Sequence, residues 1–130
     1  MNKEIYMKRK EFRENLFAAL DNDVDDITYD EKIVLVHNLL VDYEKENETK
    51  RDITNKGEKW TDEELKIILS AAPTKENCVK YARLFKRGYG SIEQIYRWSV
   101  TPKKDMSDER KKDSFVKQVK RIAKELGIRG

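Results

Sequence analysis

The chain has 130 residues, 38% hydrophobic and 41% charged, enough for one compact core or two small helical units sharing one, and too little for a large catalytic cleft. No run approaches the roughly 18–20 apolar residues of a membrane span, and Met1-Asn2-Lys3-Glu4 lacks the apolar stretch of a secretory signal, so the sequence predicts a cytoplasmic protein, nucleoid-associated in a bacterium, without a membrane partner. The net charge of +3 conceals a polarity: residues 1–74 hold 12 basic against 18 acidic side chains, and residues 75–130 hold 16 against 7, which suits a C-terminal surface that approaches polyphosphate.

Ile5, Phe12, Leu16 and Leu20 recur at helical intervals and predict a first amphipathic helix within residues 3–20, ended by Asp21-Asn22-Asp23. Thr28-Tyr29-Asp30-Glu31 has the form of a capping box, and Ile33, Val36, Leu40 and Tyr43 extend one stripe along a second helix. Together they form an N-terminal hairpin, residues 1–50, expected to bury Phe12, Leu16, Leu20, Val36 and Leu40. Two helices alone rarely make a stable core, so the pair must pack on the C-terminal half, on a second copy or on another protein. Self-association through residues 1–50, giving a homodimer, is the favoured expectation. Residues 47–59 show no apolar periodicity and read as a linker.

The second predicted domain covers residues 57–130. Thr61-Asp62-Glu63-Glu64 forms another capping box, opening a helix with Leu65, Ile68 and Leu69 that Pro73 ends. Thr74 caps the next helix, whose apolar face is Cys78, Tyr81, Ala82 and Phe85 and which stops near Gly88. A tight turn is expected at Gly88-Tyr89-Gly90. Ser91-Ile92-Glu93-Gln94 then reads as a third capping box, starting a short helix through Ile95 and Trp98 that finishes before Pro102. Thr101 to Lys112 is polar and basic, and Phe115, Val119, Ile122 and Leu126 mark a last amphipathic helix closed by Gly127. The predicted class is all-α.

The segments Lys59-Trp60-Thr61-Asp62-Glu63-Glu64-Leu65 and Ser91-Ile92-Glu93-Gln94-Ile95-Tyr96-Arg97-Trp98 resemble the Myb/SANT-like repeat over Lys59 to Ser99. In that family a tryptophan opens the first helix, a second aromatic or apolar residue lies in the middle helix and a tryptophan lies in the recognition helix. Trp60 and Trp98 match the first and third. Cys78 stands near the middle position, followed by Lys80-Tyr81-Ala82-Arg83-Leu84-Phe85; the middle tryptophan is absent. The resemblance implies a three-helix helix-turn-helix unit, preceded by the hairpin and followed by the basic helix. Its core would be Trp60, Leu65, Ile68, Cys78, Tyr81, Phe85, Ile95 and Trp98, because a unit this short depends on aromatics that each remove about 150–250 Å² from water.

By the same resemblance residues 91–100 are the recognition helix, with Ser91 at its start and Glu93, Gln94, Tyr96 and Arg97 outward. Gln94 is suited to a bidentate pair with adenine and Arg97 to one with guanine, while Lys86 and Arg87 reach phosphates. Glu93 leans toward those SANT-type relatives that bind protein tails. On the last helix Lys117, Lys120, Arg121 and Lys124 share one face, preceded by the basic Lys103, Lys104, Arg110, Lys111 and Lys112, and read as a phosphate-contacting extension or as the solvated side of an amphipathic helix.

Asp21-Asn22-Asp23-Val24-Asp25-Asp26 starts like a calcium loop, but Asp26 and Lys32 occupy the places that need glycine and a bidentate glutamate. His37 reads as a partly buried packing residue and Cys78 as a small buried apolar one. No metal, cofactor or enzymatic activity is expected. The sequence points to a DNA-binding protein acting on double-stranded DNA, a regulator or an accessory factor in a setting such as a phage or mobile element. A protein-interaction module that binds or inhibits a protein partner is the alternative.

Overall fold

Between residues 6 and 128, which the computed structural model describes, all regular structure is helical; Ile5 of the first stripe lies outside the described residues. The α-helices are α1 (Arg9–Leu20), α2 (Tyr29–Glu46), α3 (Asp62–Leu69), α4 (Lys75–Leu84), α5 (Tyr89–Val100), α6 (Asp108–Lys112) and α7 (Ser114–Glu125), with 3-10 turns at Glu48–Lys50 and Lys103–Asp105. None of the described helices is long and apolar enough to cross a membrane.

Capping chemistry sets most starts. The Thr28–Glu31 and Thr61–Glu64 boxes are both closed reciprocally, at 2.9–3.2 Å. The Thr74 hydroxyl accepts from the Asn77 amide, and Asp113 accepts from the Val116 amide. The third expected box does not form, because α5 begins at Tyr89 with Gly88 as its cap, three residues before Ser91. The turn lies upstream instead. Lys86 enters the left-handed region at φ 56, and the Arg87 amide donates to the Ala82 carbonyl, so α4 ends in a Schellman motif. Gly88 then leads directly into helix, leaving Ser91 and Gln94 inside the first turns of α5. The same motif closes α7, where Gly127 has φ 80 and the Ile128 amide donates to Ala123.

The chain divides into two compact units, residues 1–36 and 37–130, so the break falls inside α2 and not in the segment 47–59. In the first unit the Lys32 ammonium donates to the carbonyls of Leu20 and Asn22, tying the interhelical turn to α2. No residue of α1 is buried. Leu20 and Val36 are half-buried, but Phe12 and Leu16, expected in the hairpin core, are exposed, as is Leu40 beyond the break. A pair of helices encloses too little volume to cover them. His37, also expected to be partly covered, is exposed on α2.

The second unit is centred on Leu65, Ile68, Ile92, Ile95, Val119 and Ile122, all fully buried, with Val41 of α2 added to them. Helix α5 packs against α3, α4 and α7, and α7 also packs on α3. Cys78 and Tyr81 are buried in this core, and Trp60, Phe85 and Trp98 lie partly buried against it. Leu126, the fourth residue of the expected α7 stripe, is exposed; Ile128 folds back in its place.

Residues 47–60 are a strap held by polar contacts. Arg51 donates to the carbonyls of Ala82 and Arg87, the Asn55 side chain to the Phe85 carbonyl, and the Asn55 amide to the Lys86 carbonyl. Glu48 accepts from the Tyr89 amide at 2.5 Å. Attachments of this kind leave no apolar period in the sequence.

Candidate nucleic-acid interface

Burial of α5 on three sides reduces its free surface to a narrow stripe. Tyr89, Ile92, Ile95, Tyr96 and Ser99 face the core, and Gly90, Gln94, Arg97 and Val100 are exposed. Tyr96, expected outward, is turned in: its hydroxyl donates to the Ile68 carbonyl at 2.8 Å, and burial pushes its pKa up to about 12. It touches no ligand approaching from solvent. Glu93 is half-buried and stands 3.9 Å from Lys45 of α2. Ser91 is half-buried at the edge of the stripe.

Arg87, assigned to phosphates, is 4% exposed. Its guanidinium lies over the Trp60 ring, donates to the carbonyls of Glu58 and Lys59, and stands 3.8 Å from Glu64. Burial lowers its pKa, against the opposing influence of Glu64 and Glu58. It is a structural clamp between the strap and the helices. Lys86 is exposed but stands 3.5 Å from Asp52.

On α7 the four cations differ. Lys117 and Lys124 are exposed and make no ion pair among the described residues. Arg121 bonds Asp62 at 2.8 Å and Glu125 at 3.4 Å; the hydrogen bond from Arg121 holds the Asp62 carboxyl below its usual range. Lys120 is half-buried, and its ammonium has no hydrogen-bond partner among the described residues. It sits four residues after buried Val116 and three before buried Ala123, on the flank of the core, so its stem is covered. Burial, then proximity to Lys103, lowers its pKa.

These cations frame a cavity of about 850 Å³ lined by Ser99, Met106, Val116, Ala123 and Ile128 together with Lys103, Lys111, Lys117, Lys120, Arg121 and Lys124. An aliphatic floor carries a positive rim. Arg121 also lines a second cleft, of about 560 Å³, whose walls include Trp60, Phe115, Arg87, Ser91, Gln94 and Gln118. Gln118 is the lining residue that the sequence reading missed. Gln118 donates to the Trp60 carbonyl and to Asp62, joining α7 to the entry of α3. The tryptophans differ in their neighbours: Trp60 meets Phe85 edge-on at 6.0 Å, whereas Trp98 is covered by Arg110 at 4.9 Å.

Fold and site thus define an all-helical protein with a lysine-rich cavity on one side of α7 and an aromatic-walled cleft at Arg121. The chain belongs to the family of the uncharacterised protein PM1205, whose C-terminal domain matches residues 54–130. It is 46% identical over 124 residues to the uncharacterised protein PM1205 of Pasteurella multocida (strain Pm70), covering 95% of this chain and 99% of that one. No solved structure matches it.

Proposed function

We propose that the chain is a DNA-binding protein that holds the phosphate backbone on the surface formed by the 3-10 turn at Lys103, α6 and α7. The single observation that supports this most is the convergence of Lys103, Lys111, Lys117, Lys120 and Lys124 on one cavity with no carboxylate paired to any of them among the described residues. Elsewhere in the second unit Lys45, Arg51, Lys56, Lys66, Arg83 and Lys86 are each matched to an acid, and Lys50, Lys59, Lys75, Lys80 and Arg97, which make no ion pair among the described residues, do not line this cavity. A polyanion completes the unmatched set and releases its own counterions on binding.

In this reading α3, α4 and α5 act as a Myb/SANT-like helix-turn-helix unit, supported by the Schellman turn that joins α4 to α5 and by the exposed Arg97 on the second of those helices. The chain binds and does not catalyse.

Fluorescence anisotropy with random-sequence duplex at low and high salt tests it. Affinity should fall steeply with salt, and Lys117→Glu combined with Lys124→Glu should weaken binding to every sequence at least tenfold. Binding that is absent at low salt, or unaffected by the double charge reversal, defeats the proposal.

A second reading has its own support. Phe12, Leu16, Phe17, Val34, Leu39 and Tyr43 are all exposed on α1 and α2, which suits association with a second copy or with a protein partner. A molar mass of one protomer in solution, unchanged with concentration, argues against the homodimer.

A further inference from the structure

We infer that the cleft beside Arg121 receives an unpaired nucleobase, so that the chain prefers single-stranded or locally opened nucleic acid over intact duplex; this rests on the nucleic-acid reading and names the part of the polymer that the cleft holds. Its volume of about 560 Å³ lies within the range of small-ligand pockets, about 300–1,000 Å³. What separates it from the neighbouring cavity is the lining. The lysine-rich cavity has an aliphatic floor and offers no ring to stack on, whereas this cleft has two aromatic walls, Trp60 and Phe115, both half-buried.

Trp60 is a fixed wall of the cleft. Arg87, itself 4% exposed, lies 3.7 Å from the ring centroid, and Phe85 meets the indole edge-on. With one face of the indole covered by Arg87, an entering base stacks on the other aromatic wall, Phe115, a contact worth about 1–3 kcal/mol per base. Every base has an aromatic face, so stacking alone is tolerant of sequence.

The polar groups around it supply an edge to read. Gln94 is exposed on α5 and lines the cleft, and its side-chain carboxamide makes no hydrogen bond among the described residues. Gln118 donates to the Trp60 carbonyl and to Asp62, which orients it and leaves its Oε1 as an acceptor. The Ser91 hydroxyl and Glu58 complete a mixed set of donors and acceptors, the kind that unstacked bases meet on their Watson–Crick edges. The backbone has a path as well. Arg121 lines both cavities, and Lys117 and Lys124 lie one turn away on the same face of α7, so a strand whose base enters the cleft carries its next phosphates onto the lysine rim. A closed duplex reaches the rim but leaves the cleft empty.

The test uses the full chain with a short single strand containing one 2-aminopurine, and the same strand annealed to its complement, at low and high salt. Expected are a change of 2-aminopurine fluorescence on binding the single strand, and an affinity at least tenfold above that for duplex. Gln94→Ala and Phe115→Leu, with unchanged helical circular dichroism, should abolish most of that preference. Lys117→Glu with Lys124→Glu should weaken both substrates and keep it. If single strand and duplex bind equally, with salt dependence but no fluorescence change, the cleft proposal is overturned and the nucleic-acid reading stands. If neither substrate binds at low salt, that reading fails and takes this inference with it.

Discussion

The guanidinium of Arg87 stands 3.7 Å above the ring centroid of Trp60, and the same side chain donates to the carbonyls of Glu58 and Lys59. One residue thereby secures the strap, the entry to α3 and the turn before α5. Replacing it with methionine fills part of the space but leaves two carbonyls without their donor. Glu58 and Lys59 are exposed, so each lost hydrogen bond costs its net value of about 0.5–1.5 kcal/mol. The lost cation–π contact costs about 1–2 kcal/mol, so Arg87→Met should lower unfolding stability by about 3 kcal/mol, read from urea denaturation. A residue on phosphate would behave otherwise: its loss reduces the salt slope of DNA binding by about 1 with little change in stability.

The helix starts were legible because caps are local. Thr28, Thr61 and Thr74 act on amides three residues away, and a side chain at that distance needs no tertiary information. Arg87 and Tyr96 were not legible, because their burial depends on the strap and on the packing of α5 against α3 and α7. The glycines of Gly88-Tyr89-Gly90 suggest a turn where Tyr89 and Gly90 are already helical, and the true left-handed residue is Lys86, which no composition rule favours. Lys120 was within reach: Val116, Lys120 and Ala123 follow core spacing. The larger side chains at 115, 119 and 122 define a narrower stripe that leaves position 120 outside it.

Lys120 carries a prediction of opposite sign to Arg87. Its buried ammonium has no acceptor, and burial together with Lys103 lowers its pKa from 10.5. The unfolded chain therefore holds that proton more tightly than the folded one, and this group makes stability rise as pH climbs toward 10.5. Lys120→Met keeps the stem and removes the charge, so stability at neutral pH should increase by about 1 kcal/mol. Inorganic phosphate should raise the Tm of the parent protein and do so less for the variant. An unchanged or lower Tm for Lys120→Met would mean that the ammonium is solvated.

Three buried acids set the alkaline limit. Burial raises Cys78 from 9.0 to about 11, and raises Tyr89 and Tyr96 from 10.0 to about 12. Each is harder to ionise in the folded chain, so their contribution is fully present below pH 9.0 and is lost as pH rises through 11 and 12. Helical circular dichroism should therefore collapse in that window, together with the appearance of the last tyrosinate absorbance. Complete tyrosine ionisation near pH 10 with helices intact would contradict the burial of these side chains.

Glu48 provides the cap that α5 lacks in its own sequence. Gly88 offers no side chain and the first turn holds no acid, yet the Tyr89 amide finds the Glu48 carboxylate at 2.5 Å, across 41 residues. Arg51 at 3.3 Å and Lys56 at 4.0 Å hold that carboxylate in place. Glu48→Ala should lower stability by about 1–2 kcal/mol, the usual cost of a lost cap, with a further loss of about 0.5 kcal/mol from the helix dipole. Glu48→Gln keeps an acceptor and removes the charge, so it should fall between the parent and the alanine variant. Gly88→Ala brings a Cβ to 3.1 Å from the Glu48 Oε2, and should weaken the same contact by displacing the carboxylate. Native-state hydrogen exchange at the Tyr89 amide distinguishes this from a general loss of stability: it should quicken in Glu48→Ala more than the amides of α7 do. Equal acceleration throughout the second unit would show that Glu48 serves the strap and not the helix.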